Sequence, residues 1–204
     1  LRKSASLSLD KLALVFREDL LRVLLPHVEN NLQSSDWLNV EVAILSLGAA
    51  SSGCGETLKE FLPNLVPYLL QHLQHQKALV VTITCWTLGK FTNWMVQPAH
   101  REQYFLPTLG AMLQCVTHGN KKVQEASCSA LAFLIDGGHD CLGERVEFIM
   151  GVFVKAYEQY QRKSLYVLYD AIYTLVDVTP LEYSAGPIQK LLIPALERRW
   201  EAVG

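Results

Sequence analysis

Leu25-Pro26-His27, Val66-Pro67-Tyr68, Leu106-Pro107-Thr108 and Ile193-Pro194-Ala195 are four versions of one short segment, an apolar residue followed by proline. The first two intervals are 41 and 40 residues; the last, 87, is two periods with one proline missing near Ile149. Asp36, Lys77, Asn120 and Arg162 mark the segment that follows each one, at intervals of 41, 43 and 42. Between these marks apolar residues recur at three- and four-residue steps, as in Leu20, Val23, Leu24, Val28 and Leu32. That is the helical period, and strand alternation is sustained nowhere.

A period of about 40–47 residues carrying two helices per unit is the signature of HEAT or armadillo solenoids. The reading is all-α: a right-handed superhelical stack of antiparallel helix pairs, about ten helices in one segment. The expected units are a partial one over 1–17, four at about 18–55, 56–98, 99–141 and 142–184, and a partial one over 185–204. The expected helices are Ser4–Phe16, Asp19–Gln33, Trp37–Ser52, Glu56–His75, Ala78–Val96, Arg101–His118, Lys121–Ile135, Glu144–Tyr160, Lys163–Val178 and Pro187–Ala202. A solenoid unit cannot bury its apolar face alone, so units stack, and their long concave surface binds other proteins. The chain starts in mid-pattern and reads as a piece of a longer solenoid.

Ser35 or Asp36 can cap the helix at Trp37, and Asn120 the helix at Lys121. Gly53-Cys54-Gly55 and Gly137-Gly138 are expected to stop helices by supplying left-handed backbone. Thr179-Pro180 and Ala185-Gly186-Pro187 should bracket the last connection. Pro26, Pro67 and Pro107 sit inside first helices, where each removes a hydrogen bond and bends the rod.

The totals exclude several classes. Half of the 204 residues are apolar, and a net charge of −2 gives no basic field for nucleic acid. No apolar run approaches the roughly 18 residues of a membrane span. The five cysteines are scattered without metal-ligand spacing and suit a reducing compartment. His72 and His75 lie one turn apart with no third ligand nearby. Gly137-Gly138-His139-Asp140-Cys141 is a turn rather than a catalytic constellation, which is assembled across a fold. No phosphate loop or hydrolase motif occurs, and neither an enzyme nor a cofactor is expected.

The residues out of place on the second helices carry the functional reading. Asp170, Thr174 and Asp177, at i, i+4 and i+7, run one polar stripe down an apolar segment bordered by Tyr166, Tyr169 and Tyr173. A solvated face is the plain account; an interface for a basic peptide is the sharper one. One helix earlier Glu125 and Ser129 share a face, and Asp136 returns to it. On the helix before, Ile83 and Trp86 are one turn apart with Lys90 a turn further. Trp86 and its expected neighbour Leu45 are core or a binding anchor, and Asp10 closes the series. The order is apolar in the N-terminal half and acidic in the C-terminal half, which fits an extended peptide with an apolar end and a basic end.

At Lys77-Ala-Leu-Val-Val-Thr-Ile-Thr-Cys-Trp-Thr-Leu, Lys122-Val-Gln-Glu-Ala-Ser-Cys-Ser-Ala and Leu168-Tyr-Asp-Ala-Ile-Tyr-Thr-Leu-Val-Asp the chain resembles the transportins, karyopherin-β import receptors for Pro-Tyr nuclear localisation signals. The resemblance spans essentially the whole chain and implies the central repeats, directly after that family's acidic loop. It implies that a Pro-Tyr end meets Asp10, Leu45, Ile83 and Trp86, and that the upstream arginine meets Asp136. The signal's basic or hydrophobic part would run past Glu125, Ser129, Asp170, Thr174 and Asp177. It further implies Ran and nucleoporins as partners of the full-length protein, and shuttling between cytoplasm and nucleus. Four residues depart from the family: Leu7 replaces a small residue, Asp136 a glutamate, Ile135 an acid and Lys90 an arginine. The rival expectation is a HEAT scaffold of a phosphatase or assembly complex that binds a folded partner.

Overall fold

In a computed structural model that describes residues 2–201, all regular structure is helical. Ala202, the expected end of the last helix, and residues 1, 203 and 204 of the terminal partial units lie outside the described residues. The chain forms two compact units, Leu1–Tyr104 and Phe105–Gly204. The first contains α1 (Arg2–Leu32), α2 (Trp37–Leu58), α3 (Leu62–His72), α4 (Ala78–Lys90) and α5 (Thr92–Met95). The second contains α6 (Leu106–Val116), α7 (Lys121–Gly137), α8 (Arg145–Gln159), α9 (Leu165–Val178), α10 (Leu181–Pro187) and α11 (Ile193–Glu201).

Each unit is built in the two layers that the repeat predicts. In the first, α2 packs on α1 and on α4, which α3 backs; in the second, α7 lies between α6 and α9, and α8 backs α9. Ile44, Leu47, Leu58, Leu69, Leu88 and Met95 are fully buried in unit 1, as are Phe105, Met112, Leu131, Leu134 and Phe153 in unit 2. Repeat-to-repeat links are also polar. The Tyr68 hydroxyl donates to the Leu32 carbonyl at 2.8 Å, and the Tyr160 hydroxyl to the Val116 carbonyl at 2.7 Å. In both cases a tyrosine satisfies a carbonyl at the C-terminal end of the preceding first helix, where the helix itself offers no donor.

The caps form as expected. The Asp36 carboxylate accepts the Leu38 N–H at 3.0 Å, and the Asn120 side chain the Lys122 N–H at 3.0 Å. Two histidines at equivalent places complete these connections: His75 Nδ1 accepts the Lys77 N–H at 3.0 Å and His118 Nδ1 the Asn120 N–H at 2.9 Å. His72 stacks between Tyr68 and His75 at ring separations of 4.2 and 6.0 Å.

The glycine expectations hold only in part: α7 does end at Gly137 with Gly138 as its cap, but neither glycine segment supplies left-handed backbone. Helix α2 runs through Gly53-Cys54-Gly55 to Leu58, so the next helix starts at Leu62 and not at Glu56. Gly53 is there for space: a Cβ would strike the backbone carbonyl of Ala13 on α1. Gly138, with φ −101, is not left-handed either; the Phe105 ring occupies the place of its Cβ. The left-handed glycine among the described residues is Gly143, at φ 34.

Other boundaries shift for backbone reasons. The first two expected helices form one helical run broken at Arg17 (φ 43, ψ −115), whose carbonyl accepts from the Cys54 thiol at 3.2 Å. Pro26 and Pro67 do lie inside helices. Pro107 and Pro194 also lie inside continuous helical runs, at the second position of α6 and α11, each directly after a π-helical turn (Arg101–Phe105, Ile188–Leu192). The wider turn absorbs the ring and the missing N–H of the proline. Pro180 opens a helix, α10, where a connection was expected. By length and composition α2 is also apolar enough to cross a membrane, which a count of unbroken runs had missed. It packs on α1 and α4.

One buried polar cluster sets an alkaline limit on stability. Cys128 lies 3.3 Å from the Tyr160 hydroxyl, and burial pushes its thiol up to about 11; Tyr160 is raised too, again chiefly by burial. A raised thiol favours the fold while it stays protonated, so stability is full below the unfolded value near 9 and falls as pH climbs toward 11. Roughly 2–3 kcal/mol should be lost across that window from Cys128 alone. Urea unfolding at pH 8 and pH 10.5 checks this, and Cys128→Ala should shrink the difference to the part that Tyr160 contributes.

Candidate functional site

In unit 1 the side chains of interest lie on the outward face of α2 and α4. On α4, Leu79, Ile83 and Trp86 follow one another at i, i+4 and i+7, all half-buried, and Lys90 continues the stripe exposed. Trp86 is neither core nor bare. Its ring fills the hollow over Gly48 of α2, which has no room for a Cβ. The Lys90 ammonium stands 5.3 Å from the ring centroid. The Thr87 hydroxyl donates to the Ile44 carbonyl at 3.0 Å and fixes the rotation of α4 against α2. Leu45, one turn before Gly48, is half-buried as well.

The sequence reading missed two members of this face. Leu38 and Val42 precede Leu45 at helical spacing and are 48% and 47% exposed. The i, i+4, i+7 run of three apolar residues was the available signal. Asp10 is half-buried and Leu7 exposed on the first part of α1. Glu41 is a buried acid on α2, paired with Arg2.

In unit 2 the corresponding face is polar and aromatic. On α7, Ser129, Phe133 and Asp136 share one face and are all exposed. Phe133, 63% exposed, was not anticipated. Glu125 is half-buried and already engaged: its carboxylate accepts from the Ser164 hydroxyl at 2.9 Å and lies 3.6 Å from the Lys121 ammonium. Ile135 is fully buried, so it does not line this face. On α9, Tyr166, Asp170, Tyr173 and Asp177 follow one another at i, i+4, i+7 and i+11, all exposed. The Thr174 hydroxyl is half-buried and donates to the Asp170 carbonyl at 2.9 Å. Tyr169 leans on Tyr157 with ring centroids 5.9 Å apart; burial first, then the Tyr157 hydroxyl, push it up to about 12. Among the described residues the carboxylates of Asp136, Asp170 and Asp177 form no ion pair.

Unit 1 therefore offers an apolar aromatic seat with one cation at its rim, and unit 2 a row of unneutralised acids interleaved with rings. Gly138 to Cys141 is a tight turn, in which His139 Nδ1 bonds to the Asp136 carbonyl at 2.8 Å and the Cys141 thiol donates to the Gly138 carbonyl at 3.1 Å. No group of three or more His, Cys, Asp or Glu among the described residues is placed to hold a metal ion.

The family model for HEAT-like repeats matches residues 37–91, the stretch from α2 to α4. The chain is 38% identical to importin subunit beta-2 of Schizosaccharomyces pombe, over 100% of its own length and 23% of that protein. It is 39% identical to transportin-1 of Homo sapiens, over 98% of its own length and 22% of that protein. It thus spans under a quarter of the relatives it matches. Among solved structures, it superposes on Kap95p in a structure with RanGDP at a TM-score of 0.85 and 18% identity, covering 96% of this chain and 24% of that one. A Kap95:Nup1 complex gives 0.81 at 18% identity, covering 98% and 24%. At such identities these two likenesses speak for the fold alone, the HEAT solenoid read from the period. The chain is a HEAT-repeat segment similar, along its whole length, to a stretch of the transportin-type karyopherins.

Proposed function

We propose that this chain is a cargo-signal-binding part of a nuclear import receptor, recognising disordered basic signals that contain Pro-Tyr, without catalysis. In this reading Trp86, Ile83, Leu45 and Asp10 of unit 1 take the Pro-Tyr end. Asp136, Asp170, Thr174 and Asp177 of unit 2 take the basic part, with Ser129 and Glu125 beside them. The observation that carries it is the Trp86 ring, held half-exposed over Gly48 beside the apolar Leu45, Leu79 and Ile83, with the Lys90 ammonium at its edge. A rigid aromatic in a shallow hollow is what an interface anchor requires. The free acids of α9 supply long-range attraction for a basic chain.

For the whole protein, Ran and nucleoporins are the further partners we propose, and movement between cytoplasm and nucleus the consequence. Ordering a disordered signal costs entropy, so a few anchors and charge pairs must supply the affinity.

Titration of a fluorescent Pro-Tyr signal peptide against its Ala-Ala counterpart tests the reading. The dipeptide change should cost at least tenfold in Kd; equal affinities would favour a scaffold for a folded partner. Reversing Asp170 and Asp177 together to lysine should slow association and remove most of the salt dependence, because exposed charge pairs are screened. A salt slope unchanged in that variant would take α9 out of the site.

A further inference from the structure

We infer that Tyr166 and Tyr173 make the α9 face selective for arginine over lysine, an inference that rests on the basic-signal reading above. The two rings are 67% and 66% exposed. They alternate with Asp170 and Asp177 down one helical face, so each acid has a ring within one turn of it. Neither ring stacks on another aromatic among the described residues, whereas Tyr169 is occupied by Tyr157. Helix α9 contains no lysine or arginine, so nothing on the helix itself neutralises the acids or covers the rings.

A guanidinium is planar, weakly hydrated and forked. It can lie on a tyrosine face and still donate edge-on to the neighbouring carboxylate. An ammonium is a compact, strongly hydrated point charge, which can answer the carboxylate but gains little from the ring. The same unit already contains the ring half of this arrangement, with backbone carbonyls in place of the carboxylate. The Arg199 guanidinium lies 4.7 Å from the centroid of the Tyr157 ring, while its nitrogens donate to the Tyr157 and Tyr160 carbonyls. An acid row alone would distinguish the two cations far less; the interleaved rings supply most of the discrimination. The occupant is thus an extended peptide whose basic residues are arginines spaced to meet successive ring–acid pairs.

The test uses two Pro-Tyr peptides of identical length and charge, one with arginine and one with lysine at every basic position. The whole chain should bind the arginine peptide about tenfold more tightly. Tyr166→Leu with Tyr173→Leu should bring that ratio close to one by weakening only the arginine peptide. Tyr166→Phe with Tyr173→Phe, which keeps both rings, should preserve it. Equal affinities in the unaltered protein, or a ratio that survives the leucine pair, would overturn the inference while leaving the proposed function standing. Failure of both peptides to bind the unaltered protein would sink the proposed function and the inference with it.

Discussion

Trp86→Ala is expected to weaken a Pro-Tyr peptide by about 2 kcal/mol or more, roughly thirtyfold in Kd, with the thermal midpoint moved by only a few degrees. The two numbers separate because the ring is half-buried and lies on the surface of the α2–α4 packing rather than within it. Ile44, Leu47 and Leu88, which form the core of that packing, are fully buried. What is lost is the platform over Gly48 and the partner of the Lys90 ammonium. Gly48→Ala supplies the complementary measurement. A methyl group there must push the indole off its seat, and it also meets the Thr87 hydroxyl at 2.6 Å. Binding should suffer although no side chain of the face has been deleted. Titration by fluorescence anisotropy beside a melting curve decides the matter. If Trp86→Ala chiefly unfolds the protein and the residual fold binds normally, the indole is core.

The repeat was legible because a stacked unit leaves the same marks each time round. An apolar-proline step, a polar cap and a helical apolar period reappear about every forty residues. Asp36 and Asn120 do cap, and the second helices do lie side by side within each unit. Glycine was misread for a physical reason. A missing Cβ signals either a left-handed backbone or a close neighbour, and sequence does not distinguish them. Gly53 and Gly138 are cases of the second kind. Pro180 was misread in the same way, since a proline that ends one helix can also open the next.

For the candidate site, polar residues in apolar helices stood out, and Asp170 and Asp177 are as exposed as that contrast implied. Apolar residues on the same faces gave no contrast. Leu38, Val42 and Phe133 are exposed, yet each shares its helix with apolar residues of other sides that are buried. In a solenoid the second helix packs on both flanks, so hydrophobicity stops reporting which side is covered. Glu125 shows the converse. Its stripe position was right, but only a three-dimensional neighbour, Ser164, reveals that part of its hydrogen-bonding capacity is spent.

Gly53→Ala and Gly55→Ala, two residues apart in the same helix, should move stability in opposite directions. In a helix interior alanine is favoured over glycine by about 0.8–1 kcal/mol. A Cβ at position 55 meets nothing within 4 Å, so Gly55→Ala should realise most of that gain. At position 53 the added methyl runs into the carbonyl of Ala13, a backbone atom that cannot rotate away. Relief requires α1 to withdraw from α2, which loosens the buried contacts of Ala13 and Leu21. Overpacking of this kind costs typically 1–3 kcal/mol, enough to exceed the propensity gain. The expected net effect is a loss of up to about 2 kcal/mol for Gly53→Ala and a gain of a few tenths to 1 kcal/mol for Gly55→Ala. The first variant should also weaken a Pro-Tyr peptide, because Asp10 stands one turn before Ala13 on the displaced helix. Urea unfolding of the two variants in parallel reads the signs directly. A stabilised Gly53→Ala would mean that α1 and α2 are not in close contact there, and would remove the reason given for a glycine inside α2.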